Sequence, residues 1–170
     1  YFQFTLDMFK NIKEKSSLYE LNVVEIGGGF GCQAVLFCYF AKFFDIKVKR
    51  YTIVDLNEVC NLQNHYVESV SKKLFIADNI IKSITAEQYS ENHSPNYVIS
   101  NYALGELNSY WQNFYVDTIL TKAEHGYFCW NFSPSNPTIH DYFKTVDGLV
   151  KEEENPQTNC PPVKSYILRY

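Results

Sequence analysis

The stretch VVEIGGGFG, residues 23–31, holds four of the seven glycines in a chain of 170 residues. It begins as a short apolar segment, becomes a glycine turn at residues 27–31, and is followed by the apolar run CQAVLFCYFAKFF at 32–44. One glycine suits a plain tight turn, whereas several allow positive φ and let a ligand touch bare backbone. The helix that follows adds unpaired N–H groups. The stretch predicts a strand–turn–helix unit that binds a nucleotide or nucleoside.

The spacing of these glycines separates two classes of cofactor. The dinucleotide pattern G-x-G-x-x-G fails here because its sixth position is Cys32. The pattern E-x-G-x-G-x-G is complete, and its residues are Glu25, Gly27, Gly29 and Gly31, with Gly28 inside the turn. On these residues the chain resembles the class I S-adenosylmethionine-dependent methyltransferases. The resemblance implies S-adenosylmethionine as cofactor and S-adenosylhomocysteine as product, with Glu25 suited to the positive charges of the cofactor.

Polar residues also follow the next two predicted strands. Asp55 and Leu56 come after the second, where a carboxylate can accept two hydrogen bonds from ribose hydroxyls. NAD-dependent enzymes use the same device, so Asp55 alone does not identify the cofactor. Asp78 and Asn79 come after the predicted third strand, KLFIA at 73–77. The resemblance implies that they meet the adenine edge, and the alternative for Asp78 is a helix N-cap.

The stretch YVISNYALGEL, residues 97–107, contains the predicted fourth strand and the loop after it. Ser100 and Asn101 are predicted to contact the cofactor. Asn101 and Tyr102 also resemble the (D/N)-P-P-(Y/F) signature of amino-group methylases, although both prolines are absent. Together with residues 23–31 and YTIVDLNEV at 51–59, this stretch resembles sugar O-methyltransferases of glycan and surface-polysaccharide synthesis. That resemblance implies a sugar, glycan or sugar-nucleotide acceptor.

A sugar hydroxyl is a poor nucleophile at neutral pH, so a general base is expected near the fourth and fifth strand ends. Glu106 is the first candidate because it lies just past the fourth strand, and its alternative is an exposed or helix-starting carboxylate. His140 is the second, with a helix-surface histidine as the alternative, and Asp141 could orient it or bind a metal. Tyr102 could shape the methyl channel or donate its hydroxyl, and a core aromatic residue is equally consistent.

The periodicity of the whole chain predicts an α/β, Rossmann-like three-layer sandwich with a mostly parallel seven-stranded sheet and an antiparallel C-terminal hairpin. The predicted strands are 21–26, 49–54, 73–77, 97–100, 126–132, 146–152 and 163–170. The predicted helices are 5–20, 32–44, 56–70, 80–89, 110–121 and 138–144. Residues 1–20 form a leading helix segment, with YFQ at 1–3 resembling a tag remnant, and the methyltransferase-like domain is 21–170. The aromatic run YFCWNF in the fifth strand is predicted to be mostly core, although Trp130 or Phe132 could stack on a sugar ring at the strand end.

Composition limits the possible partners. The net charge is −4, and KVKR at 47–50 is the densest basic run, so nucleic acid is not an expected partner. The five cysteines form no C-x-x-C pair and indicate a reducing, cytoplasmic compartment. No apolar run reaches the roughly 18 residues of a membrane span. Some sugar methyltransferases use a divalent cation, but no residues here have convincing metal-ligand spacing, so no metal is predicted.

Three other hypotheses stay open at this stage. The acceptor could be another small molecule or a protein. The chain could be a nucleoside-binding module without turnover. An NAD-dependent oxidoreductase is disfavoured by Glu25 and Cys32. Because only about 20 residues precede the first predicted strand, other domains of a longer chain, or a second copy in a homo-oligomer, are expected to complete the acceptor site.

Overall fold

A computed structural model describes residues 1–15, 19–89, 94–131, 137–158 and 164–170. Within these residues the strands form one seven-stranded sheet in the order β3-β2-β1-β4-β5-β7-β6. The strands are β1 (Glu20–Ile26), β2 (Lys47–Val54), β3 (Ile81–Ile84), β4 (Tyr97–Asn101), β5 (His125–Asn131), β6 (Val150–Glu153) and β7 (Ser165–Arg169). The first five run parallel, and β7 is antiparallel to both β5 and β6. The predicted sheet is confirmed.

Helices cover both faces of this sheet. They are α1 (Phe2–Glu14), α2 (Cys32–Ala41), α3 (Asn57–Lys73), α4 (Ala103–Glu106), α5 (Ser109–Thr118) and α6 (Pro137–Lys144), with 3-10 turns at Lys42–Phe44, Ala86–Gln88 and Leu120–Lys122. Side chains alternate along each strand. Val23 therefore joins the core under α1 to α3, while Val24 joins the core under α5 and α6. The three-layer arrangement is as predicted.

The third strand is not where the apolar run KLFIA indicates. The prediction of a strand at 73–77 is wrong because α3 continues to Lys73 and the chain then turns, with Phe75 at φ +53° and 90% exposed. The prediction of a helix at 80–89 is also wrong because β3 occupies Ile81–Ile84. A short apolar run does not distinguish a strand from the end of a buried helix.

The C-terminal hairpin brings its connecting loop to the edge of the sheet where the parallel strands end. Because β7 is antiparallel to β5, its first residue Ser165 pairs with Asn131, the last residue of β5. Glu154 and its neighbours, which follow β6, therefore lie at that edge. Phe132 and Cys160 fall outside the described residues. None of the helices described is long and apolar enough to cross a membrane.

Candidate functional site

The glycine turn packs against the ends of β2 and β4. Its first N–H, from Gly27, donates to the Val54 carbonyl at 3.0 Å. The φ angles are +73° at Gly27, +54° at Gly29 and +86° at Gly31. A Cβ placed on Gly27 would lie 2.2 Å from the Cβ of Ala103, the first residue of α4. The predicted turn is confirmed, and its first residue, Gly27, lines a cleft at the carboxyl edge of the sheet.

Asp55 holds the glycine turn in place from the end of β2. Its Oδ2 accepts from the Gly28 N–H at 3.0 Å and from Gln63 Nε2 at 2.8 Å. The same Gln63 amide donates to the Gly29 carbonyl at 2.8 Å. The other carboxylate oxygen, Oδ1, accepts from the Leu56 N–H at 2.9 Å. Asp55 is thus part of the scaffold of the turn as well as a partly exposed carboxylate facing a cleft.

A cleft of about 280 Å³ opens beside Asp55. Its lining comes from the strand ends, the residues after β3, and helices α3 to α5: Ile26, Gly27, Val54, Asp55, Leu56, Asn57, Thr85, Ala86, Glu87, Ala103, Leu107, Trp111 and Tyr115. Leu56 is 70% exposed here. Burial raises the pKa of the Tyr115 phenol to about 12, and the charges of Asp55 and Glu87 add to the shift. An apolar wall with a few convergent polar groups is typical of a small-molecule site.

Residues 85–87 line the cleft beside Asp55, and Asp78 and Asn79 do not. Because β3 begins at Ile81, Asp78 and Asn79 precede the strand and lie at the opposite edge of the sheet. The prediction that they follow the third strand is wrong, and they do not line the cleft. The signal that could have placed this loop is TAEQ at 85–88, a capping-box pattern confirmed by the reciprocal Thr85 and Gln88 hydrogen bonds.

Glu25 lies beneath the glycine turn, on the face of the sheet that packs against α1 to α3. It is 1% exposed, and its Oε2 accepts from the Tyr51 hydroxyl at 2.9 Å. Burial raises its pKa to about 8, the Tyr51 hydrogen bond opposes the shift, and the charge of Asp55 adds to it. A Cβ on Gly28 would lie 3.3 Å from the Glu25 Oε2 atom. The carboxyl is therefore in contact with the turn but shielded from open solvent.

The two residues at the end of β4 have different surroundings. The Ser100 hydroxyl is buried, donates to the Ile26 carbonyl and accepts from the Leu104 N–H, both at 3.1 Å. Ser100 thus joins β1 to α4. In Asn101, both polar side-chain atoms are buried without a hydrogen-bond partner among the described residues. A buried unpaired amide is costly, so Asn101 is a candidate for contact with a ligand.

The predicted catalytic residues have different surroundings. Glu106 is exposed at the end of α4. The ring of His140 packs edge-on against Trp130, with centroids 5.4 Å apart. Trp130 is 2% exposed, so the prediction of a core residue is confirmed for it and the alternative, stacking on a sugar, is wrong. Asp141 pairs with Lys144 at 2.7 Å on the surface of α6 and does not orient His140 through that contact.

Sequence analysis missed several residues of this edge. Gln63 clamps the turn from α3, and Trp111 and Tyr115 reach the cleft from α5. Glu154 follows β6 and accepts a hydrogen bond from the Tyr102 hydroxyl. These residues are distant in sequence from the glycine turn and follow no local motif, so only their position in the fold identifies them. Within the described part of the chain, no group of three or more His, Cys, Asp or Glu side chains is placed to hold a metal ion.

Comparison with known sequences gives no assignment. No protein-family model matches the chain. No curated protein matches it either.

Comparison with solved structures identifies the fold. Magnesium protoporphyrin IX methyltransferase from Synechocystis PCC 6803, solved with bound S-adenosylmethionine, matches with a TM-score of 0.62 at 12% identity over 99% of this chain and 77% of its own. A candidate RNA methyltransferase from Pyrococcus horikoshii matches with a TM-score of 0.60 at 12% identity, over 97% and 82% of the two chains. The human methyltransferase 10 domain containing protein matches with a TM-score of 0.57 at 12% identity, over 98% and 81%. The chain has the Rossmann-like methyltransferase fold.

Proposed function

We propose that the protein is a methyltransferase that binds S-adenosylmethionine at the glycine turn. The observation that carries the proposal is the Asp55 carboxylate, which is fixed at the end of β2 between the turn and an apolar cleft. A solved structure with the same fold contains S-adenosylmethionine. The volume of the cleft, about 280 Å³, is near the lower end of small-molecule sites, which begin at roughly 300 Å³.

The residues at this edge suit the chemical parts of that cofactor. Asp55 can accept from the ribose hydroxyls, and the apolar wall near Leu56, Ala86 and Tyr115 suits an adenine ring. The turn passes between this cleft and Glu25, whose side of the sheet also carries the Asn101 amide, unpaired among the described residues. A carboxyl and an amide group suit an amino-acid moiety. When bound, the cofactor supplies a methyl group already activated on sulfonium, so the protein has mainly to align the acceptor.

A sugar hydroxyl is the acceptor that we propose, and it rests on the sequence resemblance alone. The solved neighbours are named for other acceptors, magnesium protoporphyrin IX and RNA. A net charge of −4 gives little attraction for an RNA backbone. Another small molecule is therefore the main alternative acceptor. Transfer of a labelled methyl group from S-adenosylmethionine to a member of a panel of sugars and sugar nucleotides would support the sugar, and no transfer to any of them would favour the alternative.

The cofactor is tested by calorimetric titration with S-adenosylmethionine, S-adenosylhomocysteine and NAD. We expect micromolar binding of both sulfur nucleosides and no binding of NAD. Binding of NAD alone would support an oxidoreductase. Binding of no nucleoside by folded protein would contradict the proposal.

Asp55 gives a sharper test when it is compared with Gln63. Asp55→Ala removes both the ribose acceptor and the support of the turn, whereas Gln63→Leu removes only support. Because hydrogen bonds to charged groups are worth about 1.5–3 kcal/mol, we expect Asp55→Ala to weaken S-adenosylhomocysteine binding by about 100-fold. Gln63→Leu should weaken binding much less. Equal losses in the two variants would assign Asp55 a scaffold role only.

A further inference from the structure

A cluster of three oxygen-bearing side chains lies beside Asn101, on elements that meet only in the fold. Tyr102 directly follows β4, and Glu154 and Thr158 belong to the connection between β6 and β7. The Tyr102 hydroxyl donates to Glu154 Oε1 at 2.5 Å and lies 2.6 Å from the Thr158 hydroxyl. The Thr158 hydroxyl donates to Glu154 Oε2 at 2.8 Å, and the Thr158 N–H donates to the same atom at 3.1 Å. We call these side chains the Tyr102 cluster.

The hydrogens in the Tyr102 cluster can be counted. The three side chains make three oxygen–oxygen contacts, but the two hydroxyls supply only two hydrogens. If both hydroxyls donate to the Glu154 carboxylate, the contact between Tyr102 and Thr158 has no hydrogen of its own. One added proton on Glu154 completes the ring, with Glu154 donating to Tyr102, Tyr102 to Thr158, and Thr158 back to Glu154. The cluster therefore has a place for one more proton.

The surroundings of Glu154 suit a proton acceptor. Glu154 is 4% exposed, and none of the ion pairs found among the described residues involves it. Among the described residues, Tyr102 and Cys129 interact with its charge, and Cys129 in turn faces Asp7 and the N-terminal ammonium. Burial, and then the Glu154 charge, raises the pKa of the Cys129 thiol, so that thiol stays neutral beside it. Tyr102 is more exposed than Glu154, so it connects the carboxylate to the open edge of the sheet.

The backbone of Tyr102 is held in an unusual conformation. Its φ is +70°, which is rare for a residue with a bulky side chain. Its N–H donates to the Cys129 carbonyl at 2.9 Å, and its carbonyl accepts from Gly105 at 3.0 Å. Strain of this kind costs about 1–3 kcal/mol and is concentrated at functional sites. In this conformation the phenol lies against Glu154, directly after Asn101, whose amide has no hydrogen-bond partner among the described residues.

We propose that the Tyr102 cluster takes up the proton of the acceptor during methyl transfer, an inference that rests on the proposed function. The acceptor oxygen forms a bond to the methyl carbon while the bond from carbon to sulfur breaks and its electron pair stays on sulfur. The acceptor proton passes to the Tyr102 oxygen as the Tyr102 proton passes to Glu154. Glu154 then returns the proton to solvent. Tyr102 touches the acceptor, and Glu154 acts through it, in place of Glu106 or His140.

The proton-accepting property can be measured without knowing the acceptor. The Cζ carbon of Tyr102 is observed by NMR in protein with ¹³C-labelled tyrosine, and Tyr102→Phe assigns the signal. We expect the signal to move as the pH is lowered, because Tyr102 changes from donor to acceptor in its contact with Glu154 once the cluster holds the added proton. The movement should disappear in Glu154→Gln and persist in Glu153→Gln, a neighbouring exposed carboxylate paired with Lys164. A signal that does not move, or that moves equally in Glu154→Gln, overturns the proposal.

Methyl transfer gives the second readout. With a sugar or sugar nucleotide that the wild type methylates, Glu154→Gln should lower kcat/KM about 10²–10⁴-fold and remove the acid limb of the pH profile. Its affinity for S-adenosylhomocysteine should be unchanged, which also shows that the variant is folded. An unaltered rate and acid limb in Glu154→Gln would overturn the proposal. If the wild type binds no nucleoside, the proposed function is contradicted. The NMR experiment would still show whether the Tyr102 cluster takes up a proton.

Discussion

At the scale of single residues, Gly27 combines two demands that only glycine meets. Its φ is +73°, and an added Cβ would lie 2.2 Å from the Ala103 Cβ. The first demand belongs to the turn itself, and the second arises where α4 crosses it. Gly148 offers a comparison, because its φ is +70° and a Cβ there meets no described atom within 4 Å.

Gly27→Ala should therefore destabilise the protein more than Gly148→Ala. The left-handed conformation costs about 1–2 kcal/mol in both variants, and overpacking adds about 1–3 kcal/mol only at Gly27. The free energy of unfolding in urea measures both. Adding Ala103→Gly to Gly27→Ala should recover part of the difference. Equal losses at the two glycines would show that the contact with Ala103 does not restrict the turn.

Glu25 makes the stability of the fold depend on pH. Burial raises its pKa from the usual 4.5 to about 8, so the folded protein holds the Glu25 proton more tightly than the unfolded chain does. The contribution of this proton to the free energy of unfolding is fully present below pH 4.5 and is lost as the pH rises through 8. Its slope in that interval is at most about 1.4 kcal/mol per pH unit.

We expect Glu25→Gln to remove this dependence. The free energy of unfolding of the wild type, measured relative to the variant, should fall between about pH 5 and pH 8 and then level off. Glu68→Gln is the control, because Glu68 is exposed and its hydrogen bond to Lys72 lowers its pKa. The wild type measured relative to Glu68→Gln should show no such fall. A parallel pH dependence in wild type and Glu25→Gln would contradict the burial of this carboxyl.

At the scale of elements, α3 protects the exposed edge of the sheet. The outer strand β3 pairs with β2 on one side only. The Asn64 side chain, on α3, donates to the Ser83 carbonyl at 3.0 Å and accepts from the Ser83 N–H at 2.9 Å. It thus satisfies both backbone groups that Ser83 directs away from the sheet. An open strand edge is a template for pairing with other chains, and this amide blocks it.

Asn64→Ala should therefore cost about 1–3 kcal/mol and expose β3 to association. Asn61→Ala, an exposed asparagine one turn earlier on α3, is the matched control. Urea unfolding measures the stability, and light scattering at raised protein concentration measures the association. If the two variants behave alike, the Asn64 amide does not protect the edge.

At the scale of the whole molecule, charge limits the acceptor more than the fold does. Proteins with the same fold include one named for a porphyrin and one named for RNA, so the architecture does not select a substrate. The net charge of −4 is unfavourable for a phosphate backbone. The described cysteines, Cys32, Cys38, Cys60 and Cys129, are free thiols. The cytoplasmic location stays a prediction from sequence.

We expect no submicromolar binding to a 20-nucleotide RNA at 150 mM salt, by fluorescence anisotropy. Saturating S-adenosylhomocysteine should not change this result. Tight binding that weakens steeply with added salt would reveal phosphate contacts and make RNA the leading acceptor.

The sequence by itself determined the elements that follow from local chemistry. The glycine turn, the acidic residues Glu25 and Asp55, and six of the seven strands are readable from spacing and periodicity, because each depends on residues close in the chain. At KLFIA, residues 73–77, a strand and the end of a helix fit the pattern equally well, and periodicity does not distinguish them. The strand predicted there puts Asp78 and Asn79 at the carboxyl edge of the sheet, whereas they precede β3 and lie at the opposite edge.

Only the tertiary structure decided which side chains meet. Tyr102 and Glu154 are 52 positions apart, and their contact exists because antiparallel β7 returns the loop after β6 to the end of β4 and β5. In the same way, only the fold places His140 edge-on against the core residue Trp130. Spacing along the chain carries no information on such contacts, since they are fixed by strand order and by what each buried polar atom finds to bond with.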